Sequence, residues 1–99
     1  IDYGKLDYHF TAFIGILLTK SNRTQEVLKE LASIPNVVEA SVISGKYNIF
    51  CKVRAKHTED AKRIIYQIDD IQDVMRTESM ISMEEYLSDR NRLINAISI

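Results

Sequence analysis

Val37-Val38-Glu39-Ala40-Ser41-Val42-Ile43-Ser44-Gly45-Lys46-Tyr47-Asn48-Ile49-Phe50-Cys51-Lys52-Val53-Arg54-Ala55 is the stretch on which the fold turns. Both ends are rich in β-branched and aromatic residues, and Gly45-Lys46 stands between them. Such runs on either side of a glycine read as two strands, Val37 to Ser44 and Tyr47 to Ala55. The glycine supplies a positive φ at little steric cost, so a tight hairpin is expected at Gly45-Lys46.

Upstream of the hairpin, residues 22–34 read as a helix. Asn22 is the expected cap, with Gln25 three residues on as a capping box requires. Val27, Leu28, Leu31 and Ile34 form its apolar stripe, and Pro35 is expected to end it. Further upstream, Tyr8 to Thr19 reads as a long strand. It carries Phe10, Ala12, Ile14, Ile16 and Leu18 on one face and Phe13 and Leu17 on the other. A strand apolar on both faces needs cover on both. Downstream, Thr58 is the expected cap of a second helix, with Glu59 and Asp60 in its first turn complementing the helix dipole. Ala61, Ile64, Ile65 and Ile68 make its buried stripe. Residues 74–83 read as a last strand. The tail from Ser88 is expected to add a short helix carrying Leu93, Ile94 and Ile97.

The chain repeats itself. Apolar positions 27, 28, 31, 34, 37 and 38 recur at 64, 65, 68, 71, 74 and 75, always 37 residues apart. The same shift carries Phe13 onto Phe50, Ile14 onto Cys51 and Ile16 onto Val53. The repeated unit is strand–helix–strand. Two such units interleave as an α+β, ferredoxin-like βαββαβ fold, a four-stranded antiparallel sheet with both helices on one face. One domain over 1–99 is expected, with its core at about 8–83 and a tail at 84–99. Helices on one face leave the other apolar face open. Phe13 and Leu17 oppose Ile14 and Ile16, and Met75 and Ile81 oppose Val74 and Met80. An exposed apolar face of that size is unusual for a monomer, so sheet-to-sheet homodimerisation is expected.

Composition narrows the function classes. The 99 residues are 45% hydrophobic and 27% charged, the balance of a globular chain. The net charge is −1, which leaves no basic excess to neutralise phosphates, so duplex DNA is not expected to bind these residues. No apolar run reaches the ~20 residues of a membrane helix, and no signal peptide is evident, so a cytoplasmic location is expected. The single cysteine, Cys51, lies in an apolar run and reads as a small buried hydrophobe. The chain opens on Ile1 rather than Met, as a piece of a longer protein would.

Catalytic constellations are missing from the pattern. His9 and His57 have no cysteine or second histidine at metal spacing, and surface or capping roles are expected for them. There is no glycine-rich phosphate loop and no nucleophile elbow. Neither a metal nor a cofactor is expected, and no catalytic residue is assigned. One segment does suggest binding. A glycine turn exposes successive backbone N–H groups, which can cradle a small carboxylate. Around Gly45, Ser44 adds a hydroxyl, and Tyr47 adds a ring wall and a hydroxyl.

The run Val37 to Asn48 resembles the hairpin in the effector domain of the Lrp/AsnC (feast/famine) transcription regulators, the regulation-of-amino-acid-metabolism domain. So do Ala12-Phe13-Ile14-Gly15-Ile16, Ile34-Pro35-Asn36-Val37 and Val74-Met75-Arg76-Thr77-Glu78-Ser79. The resemblance covers residues 5 to about 86. It implies a ferredoxin-like domain that dimerises sheet to sheet, with octamers as the larger assembly. It further implies an amino-acid effector bound between dimers, near the hairpin. Ser44, Gly45, Lys46, Tyr47 and Asn48 would then belong to the site, with Thr77 and Ser79 as further candidates. The family usually has Asp where this chain has Asn48. An aspartate can pair with an ammonium group, whereas an asparagine offers only a dipole. The N-terminal helix-turn-helix of the family does not occur in this chain, so DNA contact is expected only through a domain outside it.

Two rivals share the topology. ACT regulatory domains place their key glycine between the first strand and first helix. Here that loop is Lys20-Ser21-Asn22-Arg23, without glycine. A small dimeric enzyme of the cofactor-free monooxygenase type needs a polar or ionisable group between sheet and helices, where this chain is expected to be aliphatic.

Overall fold

A computed structural model describes residues 8–84, 87 and 91–97. The elements are β1 (Phe10–Leu18), α1 (Thr24–Ala32), β2 (Val37–Val42), β3 (Ile49–Ala55), α2 (Thr58–Asp69), β4 (Val74–Ile81) and α3 (Arg92–Ile97), with a 3-10 turn at Ser21–Arg23 before α1. The strands form one antiparallel sheet in the order β2-β3-β1-β4. This is the expected ferredoxin-like arrangement, and the 37-residue shift superimposes β1-α1-β2 on β3-α2-β4.

The core lies between sheet and helices. Ala12, Ile14, Ile16 and Leu18 of β1 meet Ile49, Cys51, Val53 and Ala55 of β3. Val27, Leu31 and Ile34 from the first helical region and Ala61, Ile64 and Ile68 of α2 close over them. All of these are aliphatic except Cys51, whose thiol burial pushes up to about 12. A thiol that stays protonated packs as a small hydrophobe.

Several local expectations are corrected. Asn22 does not cap the first helix: it lies in the 3-10 turn, and Arg23 takes the cap position without a side-chain bond. Thr24 Oγ1 instead donates to the Ser21 carbonyl at 2.6 Å. α1 ends at Ala32, ahead of Pro35, where the Ser33 hydroxyl donates to the Glu30 carbonyl. Thr58 is the first helical residue of α2, and its cap is His57. The His57 Nδ1 accepts from the Asp60 amide at 3.2 Å, while Asp60 Oδ2 accepts from the Lys56 amide at 3.0 Å. A longer acceptor thus does what the expected Thr58 hydroxyl would have done from one residue later.

β2 and β3 stop short of the tight turn. Ladder pairing ends at Val42↔Ile49, and Ile43 to Asn48 forms a wider connection. β4 ends at Ile81 rather than 83. Strict alternation also fails at one point. The ladder between β1 and β4 shifts between Leu17 and Leu18, so Arg76 pairs with Leu17 and Val74 with Leu18. That bulge moves Val74 onto the helix side, where it packs against the core, while Met80 stays with Phe13 on the other side. α3 begins at Arg92, and its Leu93, Ile94 and Ile97 are exposed. The expected tail from Ser88, like the opening Ile1 to Leu6, falls partly or wholly outside the described residues.

The face away from the helices is apolar at its centre. Phe13 stacks on Phe50 with ring centroids 5.8 Å apart, and Leu17 and Met80 flank them. Charged groups surround this patch: Lys52 bonds Glu39 at 3.6 Å and lies over the Phe13 ring. Among the described residues, no helix is long and apolar enough to cross a membrane.

Candidate functional site

The connection from Ile43 to Asn48 lies at the end of the sheet where β1 finishes and β4 begins. Its base is fixed by Asn48. The Ile43 amide donates to the Asn48 carbonyl at 3.0 Å, the Asn48 amide to the Ile16 carbonyl at 2.9 Å, and Asn48 Oδ1 accepts from the Leu18 amide at 2.8 Å. The last of these supplies the Leu18 amide with an acceptor at the bulge, where ladder pairing slips. Asn48 is therefore a strut of the site, and its oxygen is already committed.

Above that base the chain turns outward. Gly45 has φ +113, a conformation that side-chain-bearing residues rarely adopt. The Ser44, Gly45, Lys46 and Tyr47 amides have no acceptor among the described residues. Four successive amide donors thus follow one another on an exposed loop reversed at Gly45.

Tyr47 folds back from the loop onto the open sheet face. A Cβ at Gly15 would stand 2.8 Å from its ring, so only glycine leaves room for it there. The Tyr47 hydroxyl donates to Glu78 Oε2, and Lys46 Nζ lies 4.0 Å from the same oxygen. Lys46 also sits over the Tyr47 ring. The bond to Glu78 holds the phenol's pKa above its ordinary value, helped by desolvation and the carboxylate's charge, while Arg76 pulls the other way.

The sequence candidates thus divide by sheet face. Ser44, Gly45, Lys46, Tyr47 and Asn48 share one loop. Thr77 and Ser79 do not join them: they pair with Ile16 and Ile14, on the helix side of β4, and Thr77 Oγ1 donates to Asp69 Oδ1 at 3.0 Å. Glu78, between them, faces the other way and meets Tyr47. Sequence reading missed it, although the alternation of a strand would have put it opposite its two neighbours. On the helix side of the same end lies an open groove between the ends of α1 and α2, lined among others by Arg23, Glu26, Asp70 and Asp73. Arg23 Nε bonds Asp73 Oδ2 across it at 2.9 Å. Asp73 holds φ +74, a left-handed conformation that aspartate tolerates better than most residues.

Residues 11–92 match the family model of the Lrp/AsnC ligand-binding domain. The chain belongs to this family. Among its Lrp/AsnC relatives, the regulatory protein AsnC of Haemophilus influenzae is 36% identical over 85 residues, covering 85% of this chain and 57% of that protein. An uncharacterised HTH-type transcriptional regulator of Pyrococcus abyssi is 36% identical over 86 residues, covering 84% of this chain and 57% of its own length. The chain thus spans little more than half the length of these relatives. Among solved structures, E. coli AsnC matches with a TM-score of 0.84 at 28% identity, over 90% of this chain and 60% of that one. A feast or famine regulatory protein from M. tuberculosis complexed with L-methionine has the same fold, with a TM-score of 0.79 at 21% identity, over 91% of this chain and 60% of that one.

Proposed function

We propose that this domain binds an amino-acid effector and joins copies of a transcription regulator, with the effector's carboxylate on the hairpin. The observation that carries this reading is the run of Ser44 to Tyr47 amides without acceptors among the described residues, turned outward at Gly45. The Ser44 hydroxyl stands beside the run, and Lys46 enters through its amide. The regulator names of the relatives support the role, and the L-methionine complex of a fold neighbour supports the ligand class.

Two copies join through the face of Phe13, Leu17, Phe50 and Met80, since a stacked aromatic pair with apolar flanks loses most by staying in water. Octamers are the larger assembly. Thr77 and Ser79, on the outermost strand, would meet an effector only from an adjoining dimer. DNA contact belongs to a helix-turn-helix outside this chain, the protein works in the cytoplasm, and the domain is a binding module without a catalytic step.

Calorimetry of the assembled protein against the twenty amino acids tests the reading. At least one is expected to bind, and Gly45→Val is expected to abolish that binding, because a β-branched residue resists positive φ. No binding by any of the twenty would leave the domain a pure assembly module.

A further inference from the structure

We propose that Tyr47 is the central anchor of the face through which two copies join, so that the position of the hairpin sets how tightly they join. The proposal rests on the reading above that copies pair sheet to sheet. That face has a gap at its middle. On β1, Phe13 and Leu17 stand two residues either side of Gly15 and so share its side of the sheet. Across the ladders, Gly15 pairs with Phe50 of β3 and Glu78 of β4. Gly15 itself brings no side chain. The Tyr47 ring takes the vacant place, because a Cβ on Gly15 would stand 2.8 Å from it. The apolar face is therefore built from three strands and one ring that the hairpin lends.

The ring is suited to being covered. Its hydroxyl donates to Glu78 within its own chain, so a second sheet laid over it strips no hydrogen bond away. Glu78 stands on the edge strand β4, at the margin of the face, with Lys46 Nζ 4.0 Å from the same oxygen. Lys46 also lies over the ring, 5.6 Å from its centroid, and its long flexible stem lets it swing aside. A large, rigid ring at the centre of an apolar patch is where association energy concentrates. With the ring lifted away, two facing sheets would enclose a hole over Gly15 in the middle of their contact.

Coupling follows from where Tyr47 is attached. Its ring belongs to the face and its backbone to the loop. Asn48, the next residue, is tied to Ile16 and Leu18 at the end of β1, while Gly45 and Lys46 before it are exposed. The ring is in place only when the loop is folded in this way. A joined copy therefore holds its hairpin more firmly than a free one. By linkage, anything that displaces the hairpin loosens the pair by the same factor.

The test joins two measurements. Sedimentation gives the dissociation constant of the pair for the native chain, Tyr47→Phe, Tyr47→Ala and Gly15→Ala. Amide exchange at Ile43 and Asn48, both hydrogen-bonded at the base of the hairpin, is followed above and below each dissociation constant, with α2 amides as the reference. Tyr47→Ala is expected to weaken joining by about tenfold or more, the scale of a central anchor, and Tyr47→Phe, which keeps the ring, far less. Gly15→Ala pushes the ring away without touching the hairpin, and is expected both to weaken joining and to speed exchange at Ile43 and Asn48. In the native chain these two amides are expected to slow on joining more than α2 does. If Tyr47→Ala joins as tightly as the native chain, the ring is no anchor and the proposal fails, though sheet pairing stands. If hairpin exchange in the native chain follows α2 alone, or Gly15→Ala weakens joining without affecting it, the coupling fails. A native chain that never joins defeats this proposal and the sheet-pairing reading together.

Discussion

Tyr47 lies flat against Gly15: a Cβ on that glycine would stand 2.8 Å from Cδ2, 3.0 Å from Cγ and 3.1 Å from Cε2 of the ring. Three atoms along one edge of a rigid ring cannot all yield by a small torsion. Gly15→Ala is therefore expected to lift Tyr47 off the sheet, breaking its bond to Glu78, at a cost of about 1–3 kcal/mol. In a Tyr47→Ala background the same alanine should cost far less. Urea denaturation of the four proteins in this cycle measures the coupling, and additive effects would mean that the ring does not rest there.

Asn48 sets a second expectation. Removing its oxygen leaves the Leu18 amide without an acceptor, so Asn48→Ala is expected to destabilise the domain by about 1–3 kcal/mol. Asn48→Asp keeps an oxygen in place and should unfold close to the native midpoint. Equal losses in both variants would show that the hydrogen bond is not what matters.

Phe13→Asp should abolish sheet-to-sheet assembly, because a charge would be buried without a partner in the joined faces. Light scattering at micromolar concentration is expected to find a dimer or larger species for the native chain and a monomer for the variant. A native chain that stays monomeric would overturn the assembly reading.

Cys51 is buried, with its pKa pushed up to about 12. Little thiolate exists at neutral pH, so an aromatic disulfide reagent should label it only as fast as the domain opens. Labelling is expected to accelerate steeply across the urea transition. Rapid reaction in the native state would contradict the burial.

Asp60 gives the pH dependence a sign. The Lys56 amide, and then Arg63, hold its carboxyl below the usual carboxylate range. A folded-state pKa lowered in this way adds stability that is fully present above the unfolded value and disappears as pH falls through the folded one. The melting temperature of Asp60→Asn is expected to lie below the native one at neutral pH and to converge with it in acid. A gap that persisted at low pH would assign the effect to packing instead.

The order of elements was legible because each core stripe is aliphatic and periodic: Ile14 and Ile16 announce a strand, Val27 and Leu31 a helix. What escaped was local chemistry. Asn22 and Thr58 carry the right groups for capping, but a 3-10 turn and the longer reach of His57 decided otherwise. The place of Val74 depends on a bulge, and no side-chain pattern encodes one residue of slippage. In the hairpin, the need for a glycine at Gly45 was readable from composition. Glu78 was not, because its meaning arises only when the loop folds Tyr47 across β1 to reach β4.

The hairpin that carries the free amides is also the seam between the two 37-residue copies, and none of its residues from Ile43 to Asn48 is buried. Each copy draws its core from its own strands and helix, plus those of the other. The joint contributes three hydrogen bonds at Asn48 and a ring laid on Gly15. Ser44 and Lys46 are exposed and add nothing to the core, while Gly45 is needed for its positive φ. A designer could exchange Ser44 and Lys46 while the sheet stays as it is, provided that Gly45, Tyr47, Asn48 and Gly15 are kept to hold the loop in place.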